Sequence, residues 1–301
     1  MTADRRPSGW FGLPARTSGA IAIALIVLVA ASAAQAQDTR EEAVVTLRSG
    51  GLSVEVQRAY SWSVQKISHR GVVVGTPSGA FGMLACVPVA GGWIGSMHTE
   101  GGVERVEEVS LTVDGESVEL DDGATHTGER LVLRKRSMLD KLRHEATLTL
   151  AGGMLTQHHE VTATEEVVVT VAYPFMFPIS SEASRWMAVS TEGEVLDGDF
   201  GVGGALEWYD DWTWTAAFIP DRATGVVMRH LARPDGESAT TLTGWWDQER
   251  HRKLYVAWDG VAEPWPEGLT LSGEIALRCF EAPEIGWQEM ARQVASELVA
   301  E

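Results

Sequence analysis

His158 and Glu160 stand two residues apart in the segment 155–164, where apolar and polar side chains alternate. That period predicts a strand with Leu155, Gln157, His159, Val161 and Ala163 on one face. Thr156, His158, Glu160, Thr162 and Thr164 take the other, so His158 and Glu160 project together, about 7 Å apart by the usual rise. An imidazole beside a carboxylate supplies an acid and a base, or a carboxylate that keeps the imidazole protonated. On a solvated outer face the same two residues are ordinary. A metal needs more ligands than this pair, and the adjacent His159 points away from His158, so no metal site is expected.

Residues Glu207-Trp208-Tyr209-Asp210-Asp211-Trp212-Thr213-Trp214 form a second cluster. Read as one strand, Trp208, Asp210, Trp212 and Trp214 share a face, and flat indoles beside carboxylates suit sugars, with their apolar C–H faces and hydroxyl donors. The ordinary reading is that these indoles fill a core. Trp245-Trp246-Asp247 is a smaller instance. The third candidate is the run from Gly91 to Gly102, in which glycines flank Trp93 and His98 and let the backbone approach a ligand. Arg185 offers a cation to a carboxylated sugar. The basic runs Arg134-Lys135-Arg136 and Arg250-His251-Arg252-Lys253 suggest a polyanionic glycan, but alternating strand faces split each of them. HExxH, CxxC, GxSxG and Walker patterns are missing, and no cofactor is called for.

The elements that must carry these residues are nearly all strands. Leu52–Val56, Val109–Val113, Leu131–Leu133 and Ala146–Leu150 alternate as half-buried strands do, and Val167–Val171 reads as a strand buried on both faces. Asp114-Gly115 between two such runs is the clearest two-residue hairpin signal. About fifteen strands are expected, without a 20–50-residue repeat and without alternating helices, so propellers, Rossmann folds and TIM barrels drop out. An all-β fold remains: a large antiparallel β-sandwich with a C-terminal α-helix. After Pro283, Trp287, Met290, Ala291, Val294 and Leu298 make one apolar stripe, predicting that helix over about 284–300.

The chain has 301 residues and a net charge of −18, which repels phosphate backbones and argues against nucleic acid as a partner. Residues 1–36 have the three parts of a secretory signal: Arg5, Arg6 and Arg16, an apolar run through Ile21–Val29, and Ala34-Gln35-Ala36. Cleavage after Ala36 predicts an exported protein, periplasmic or secreted, without further contact with the membrane; the alternative is an uncleaved N-terminal anchor. Residues 37–301 then form a single β-sandwich domain. Cys86 and Cys279 both lie in apolar stretches, and the sequence leaves open a disulfide or two separate buried thiols.

This organisation across about residues 44–280 resembles the galactose-mutarotase-like supersandwich group, through Met154–Pro178 and through Ala216-Ala217-Phe218-Ile219-Pro220 and its turn. The group includes aldose epimerases and the β-domains of polysaccharide lyases and glycoside hydrolases, and the aldose epimerase signature itself is absent. The resemblance implies a saccharide or polysaccharide partner. It implies either a glycan-binding protein that is non-catalytic or weakly catalytic, or a carbohydrate-active enzyme. In an epimerase, His158 and Glu160 would be acid and base. In a lyase, His158 or Tyr173 would be the base and Arg185 would neutralise a uronate. Trp208, Asp210, Trp212, Trp93 and His98 are the expected ligand contacts.

Overall fold

The computed structural model describes residues 44–201, 207–210, 212–234, 239–259, 261 and 263–298, with the backbone alone at 207–210. The predicted export segment lies outside them. The described residues fall within one compact unit, Glu42–Glu301. In chain order the first strands are β1 (Val44–Ser49), β2 (Leu52–Gln57), β3 (Ser63–His69), β4 (Val72–Gly75), β5 (Leu84–Val87), β6 (Gly92–Gly95) and β7 (Arg105–Val113). Next come β8 (Glu116–Val118), β9 (Thr125–Thr127), β10 (Arg130–Leu139), β11 (Leu142–Ala151), β12 (Met154–Ala163), β13 (Val171–Ser180) and β14 (Arg185–Ser190). The last are β15 (Val195–Asp199), β16 (Glu207–Asp210), β17 (Trp212–Ile219), β18 (Thr224–Ala232), β19 (Thr240–Asp247), β20 (His251–Asp259) and β21 (Thr270–Glu281), before helix α1 (Trp287–Glu297).

Two sheets hold them. One has eleven strands in the order β16-β19-β20-β13-β4-β3-β2-β1-β9, with β5 and β6 attached beside β13. The other has ten, β15-β14-β17-β18-β21-β12-β11-β10-β7-β8. Pairing is antiparallel except between β1 and β9. The expected antiparallel sandwich and its terminal helix are present. Asp114 (φ 52°) and Gly115 (φ 90°) turn β7 into β8 as the two central residues of a hairpin, the left-handed geometry this pair of residue types favours.

The inner faces bury two apolar groups between the sheets. One gathers Leu47, Val54, Ile67, Phe175, Phe177, Leu131, Leu155 and Ile275; the other Ala85, Ile94, Trp258, Leu139, Leu142, Val161 and Leu271. Each large side chain sealed there contributes about 1.5–3 kcal/mol over leaving it in water. A third group lies on the outer face of the ten-stranded sheet, where α1 packs Trp287, Ala291 and Val294 against Phe218, Val227 and Phe280. The Trp287 and Phe218 rings are parallel at 5.2 Å. The predicted helix stripe is therefore the packing surface, and the helix is shorter than 284–300 by three residues at each end.

One expectation about a strand is corrected. Residues 168–170 are not strand: Val167 makes one isolated bridge to Trp265, and β13 begins only at Val171. Val167 and Val169 are buried while Val168 is half exposed, so this β-branched run is a covering segment with one face in the core. The cysteines are both free, Cys86 half-buried on β5 and Cys279 buried on β21, in different sheets.

Candidate functional site

Side chains from four strands and one turn meet on the outer face of the eleven-stranded sheet. The turn follows β6. There Gly95 (φ 131°) lies so close to β5 that an added Cβ would stand 2.5 Å from the Met83 carbonyl, and one on Gly101 would stand 2.6 Å from the Gly92 carbonyl. Only glycine fits these close approaches. The His98 N–H donates to the Gly95 carbonyl at 2.9 Å and the Gly101 N–H to the Trp93 carbonyl at 2.7 Å, which fixes His98 beside Trp93. The glycine-flanked run is thus a shaped turn.

Tyr173 reaches the same face through an irregularity. β13 pairs with β20 at Ala172↔Trp258 and next at Phe175↔Val256, so one extra residue sits on β13. Pro174 lacks an N–H and is at home in such a bulge. Without it Tyr173 would point inward with Phe175 and Phe177; the bulge turns it outward beside Met176 and Tyr255. Tyr173 stacks on Trp93 (centroids 5.6 Å, 13° between planes) and meets Tyr255 edge-on at 5.1 Å; Trp246 lies 6.0 Å from Tyr255. Trp93, Tyr173, Trp246 and His98 remain half-buried, so the four rings form a platform with access to solvent.

Its polar groups are specific. The His98 Nδ1 lies 3.3 Å from Glu100 Oε1. Burial lowers the His98 pKa, with Glu100 opposing and the charge of Lys253 assisting. Lys253 is 6% exposed, with its Nζ 4.7 Å from the Tyr255 ring centroid, and burial brings it down to about 7. His251, whose Nδ1 is 3.2 Å from the Ser78 hydroxyl, is lowered to about 4, first by burial and then by Lys253, Arg252 and Arg250. Burial also raises Tyr173 to about 12, so its phenol stays protonated at neutral pH.

Of the residues singled out in the sequence, Trp93, His98 and Tyr173 therefore come together. His158 and Glu160 project side by side as the alternation requires, half-buried on the outer face of the ten-stranded sheet. They face Thr147 and Glu145 on β11 and Glu274 and Ser272 on β21. Neither makes a hydrogen bond or ion pair among the described residues. Arg185 is already held by Asp199 and by Glu284 at 3.4 Å, so its charge is matched.

The tryptophan cluster does not share one face. β16 pairs with β19 in the eleven-stranded sheet and β17 with β14 in the ten-stranded one, so the chain changes sheets between Asp210 and Trp212. The side chains of Trp208 and Asp210 lie outside the described residues. Trp212 is 2% exposed between the sheets, stacked on Trp186 at 6.0 Å. A register break at Val189/Ser190 puts Trp214 on the opposite face, under α1. Trp212 is core, which corrects its expected role as a ligand contact.

Sequence reasoning missed a second polar assembly, this one inside the sandwich. Lys135 donates to Glu104 Oε1 at 2.7 Å and to the Ser61 carbonyl at 2.9 Å, and Ser137 donates to the same carboxylate oxygen at 2.7 Å. His144 Nε2 and His159 Nδ1 share a hydrogen bond of 2.8 Å. These side chains form a polar belt between the two inner apolar groups. Gln157, His159, His144, Lys135 and Ser96 border a cavity of about 40 Å³, room for a water or two but far below the ~300 Å³ of a small-ligand pocket. Its inward-facing residues sit at alternate positions of β10, β11 and β12, and that period was the available signal. A larger open groove of about 490 Å³ crosses β1 to β4 beside Arg48, Lys66 and Arg70, and no aromatic side chain lines it.

No protein-family profile matches the chain, and no curated protein sequence does. Solved structures do. The GH36 α-galactosidase AgaB of Geobacillus stearothermophilus is 9% identical with a TM-score of 0.50, covering 79% of this chain, which spans 40% of that protein. A putative aldose 1-epimerase from Escherichia coli K12 is 13% identical with a TM-score of 0.49, over 80% of this chain and 99% of that one. A galactose mutarotase-like protein from Lactobacillus casei is 8% identical with a TM-score of 0.45, over 79% and 100%. At 9% identity the likeness to the AgaB domain speaks for the fold alone, a two-sheet β-sandwich.

Proposed function

We propose that this chain is an exported saccharide-binding protein whose ligand lies on the ring platform of Trp93, Tyr173 and Trp246. The observation that carries the reading is convergence: rings from β6, β13 and β19, half open to solvent, meet over the buried Tyr255 of β20 on one outer face, with the His98–Glu100 pair at their edge. Indole and phenol faces stack on the C–H side of a sugar ring, and the nearby imidazole, carboxylate and phenol exchange hydrogen bonds with its hydroxyls. The names of the structural neighbours, galactosidase and aldose epimerase among them, support a carbohydrate ligand.

An enzymatic reading is favoured by one observation, the 3.3 Å approach of Glu100 to His98 Nδ1. A carboxylate on one ring nitrogen orients the other for proton transfer, so in an epimerase or lyase the role expected of His158 passes to His98. A glycan array on the purified protein tests the shared premise. Trp93→Ala is expected to weaken any hit at least tenfold while leaving the far-UV spectrum and melting midpoint nearly unchanged, since Trp93 lies outside the inner core. Undiminished binding by that variant would overturn the placement.

A further inference from the structure

We propose that the platform is built for a saccharide bearing a carboxylate, with the Lys253 ammonium as its counter-charge. This rests on the platform being a saccharide site. The chain has four lysines. Lys66, Lys135 and Lys141 each have a glutamate oxygen within hydrogen-bond distance, Glu55 at 2.8 Å, Glu104 at 2.7 Å and Glu165 at 2.9 Å. Lys253 is as buried as Lys135 yet makes no ion pair among the described residues. Its cross-strand neighbours are Trp246 and Pro178, and its Nζ lies over Tyr255.

Among the described residues, the ionisable groups around it add no compensating charge. Burial holds His98 and His251 toward their neutral forms, Arg252 is paired with Asp247, the Tyr173 and Tyr255 phenols stay protonated, and the carboxylate in the turn, Glu100, is engaged by His98. A buried ammonium without an anion is costly, and the same chain supplies an acid where Lys135 is buried. At the platform the missing anion is the ligand's. One ammonium matches a uronate's single charge; a sugar phosphate would bring a second negative charge with no partner.

A bound uronate holds the proton on Lys253, so its affinity must fall as pH rises through about 7. The test is calorimetric titration of the purified chain, Lys253→Met and Trp93→Ala with D-galacturonate, D-glucuronate, D-galactose, D-glucose and D-glucose 6-phosphate at pH 6.0 and 8.5. Uronates are expected to bind the unaltered protein at least tenfold tighter than their neutral parents at pH 6.0. That preference should shrink severalfold or more at pH 8.5 and vanish in Lys253→Met, while Trp93→Ala weakens acidic and neutral sugars together. Equal binding of acid and parent, a preference surviving in Lys253→Met, or tighter binding of the phosphate would overturn the inference and leave the platform standing. Binding of none of the five sugars would overturn both.

Discussion

Lys253→Met is expected to stabilise the fold, raising the melting midpoint by about 5 °C or more at pH 6–7. The lysine is 6% exposed and makes no ion pair among the described residues, and burial brings its pKa from 10.5 to about 7. A folded-state pKa below the unfolded one means the unfolded chain binds more protons between the two values. The penalty is therefore absent above about pH 10.5, grows as pH falls, and is complete below about 7. Each unit is worth about 1.4 kcal/mol, so the penalty reaches the order of 3–5 kcal/mol at neutral pH, for a chain of this size roughly 2–4 °C per kcal/mol. Methionine fills nearly the same volume without the charge. Scanning calorimetry at pH 6, 7 and 10 checks it: the gain should fade toward pH 10. An unchanged or lower midpoint at pH 6 would mean that the fold already satisfies the ammonium.

The opposite sign is expected inside the sandwich. Glu104→Gln leaves Lys135 buried without its anion and should cost about 3–5 kcal/mol, whereas combining it with Lys135→Met should recover most of that loss. Lys135 and His144 hold the Glu104 carboxyl well below its ordinary range against the effect of burial. Its contribution is therefore present above the ordinary carboxylate pKa and is lost as pH falls below it. Burial also lowers His144 and His159, so their neutral forms favour the fold from about pH 6.5 upward and oppose acidification below it. Urea titrations between pH 4 and 8 should show stability falling from about pH 6.5 downward in the unaltered protein. A Glu104→Gln variant as stable as the parent at pH 7 would contradict this account of the belt.

What could be read from the sequence follows from what sequence periodicity encodes. Alternation along residues 155–163 sorted the two faces of β12, because its pairing with β11 and β21 runs without a register shift, although Thr156 on the outer face is itself buried. The helix stripe from Trp287 to Leu298 was legible for the same reason at a period near 3.6. Bulges and sheet changes broke the other readings. An extra residue near Pro174 turned Tyr173 outward, and a register break in the β14–β17 pairing set Trp212 and Trp214 on opposite faces. The chain's passage from β16 to β17 then separated a cluster contiguous in sequence into two sheets.

The platform was half visible. Trp93, His98 and Tyr173 each stand out in the sequence, but their meeting depends on β5 and β6 being attached beside β13, a long-range pairing that no local pattern reports. Lys253 belongs to a basic run whose charges the strand divides: Arg252 turns inward to Asp247 and Lys253 outward to the rings. That no acid among the described residues pairs with it is a property of assembled strands alone.

A crystal of the purified chain soaked with an oligosaccharide that it binds in solution tests the central claim most directly. The account predicts a sugar ring lying against Trp93 or Trp246, with a hydroxyl in reach of His98. A ring seated instead beside His158 and Glu160, or in the groove of Arg48 and Arg70, with the platform bare, would contradict it.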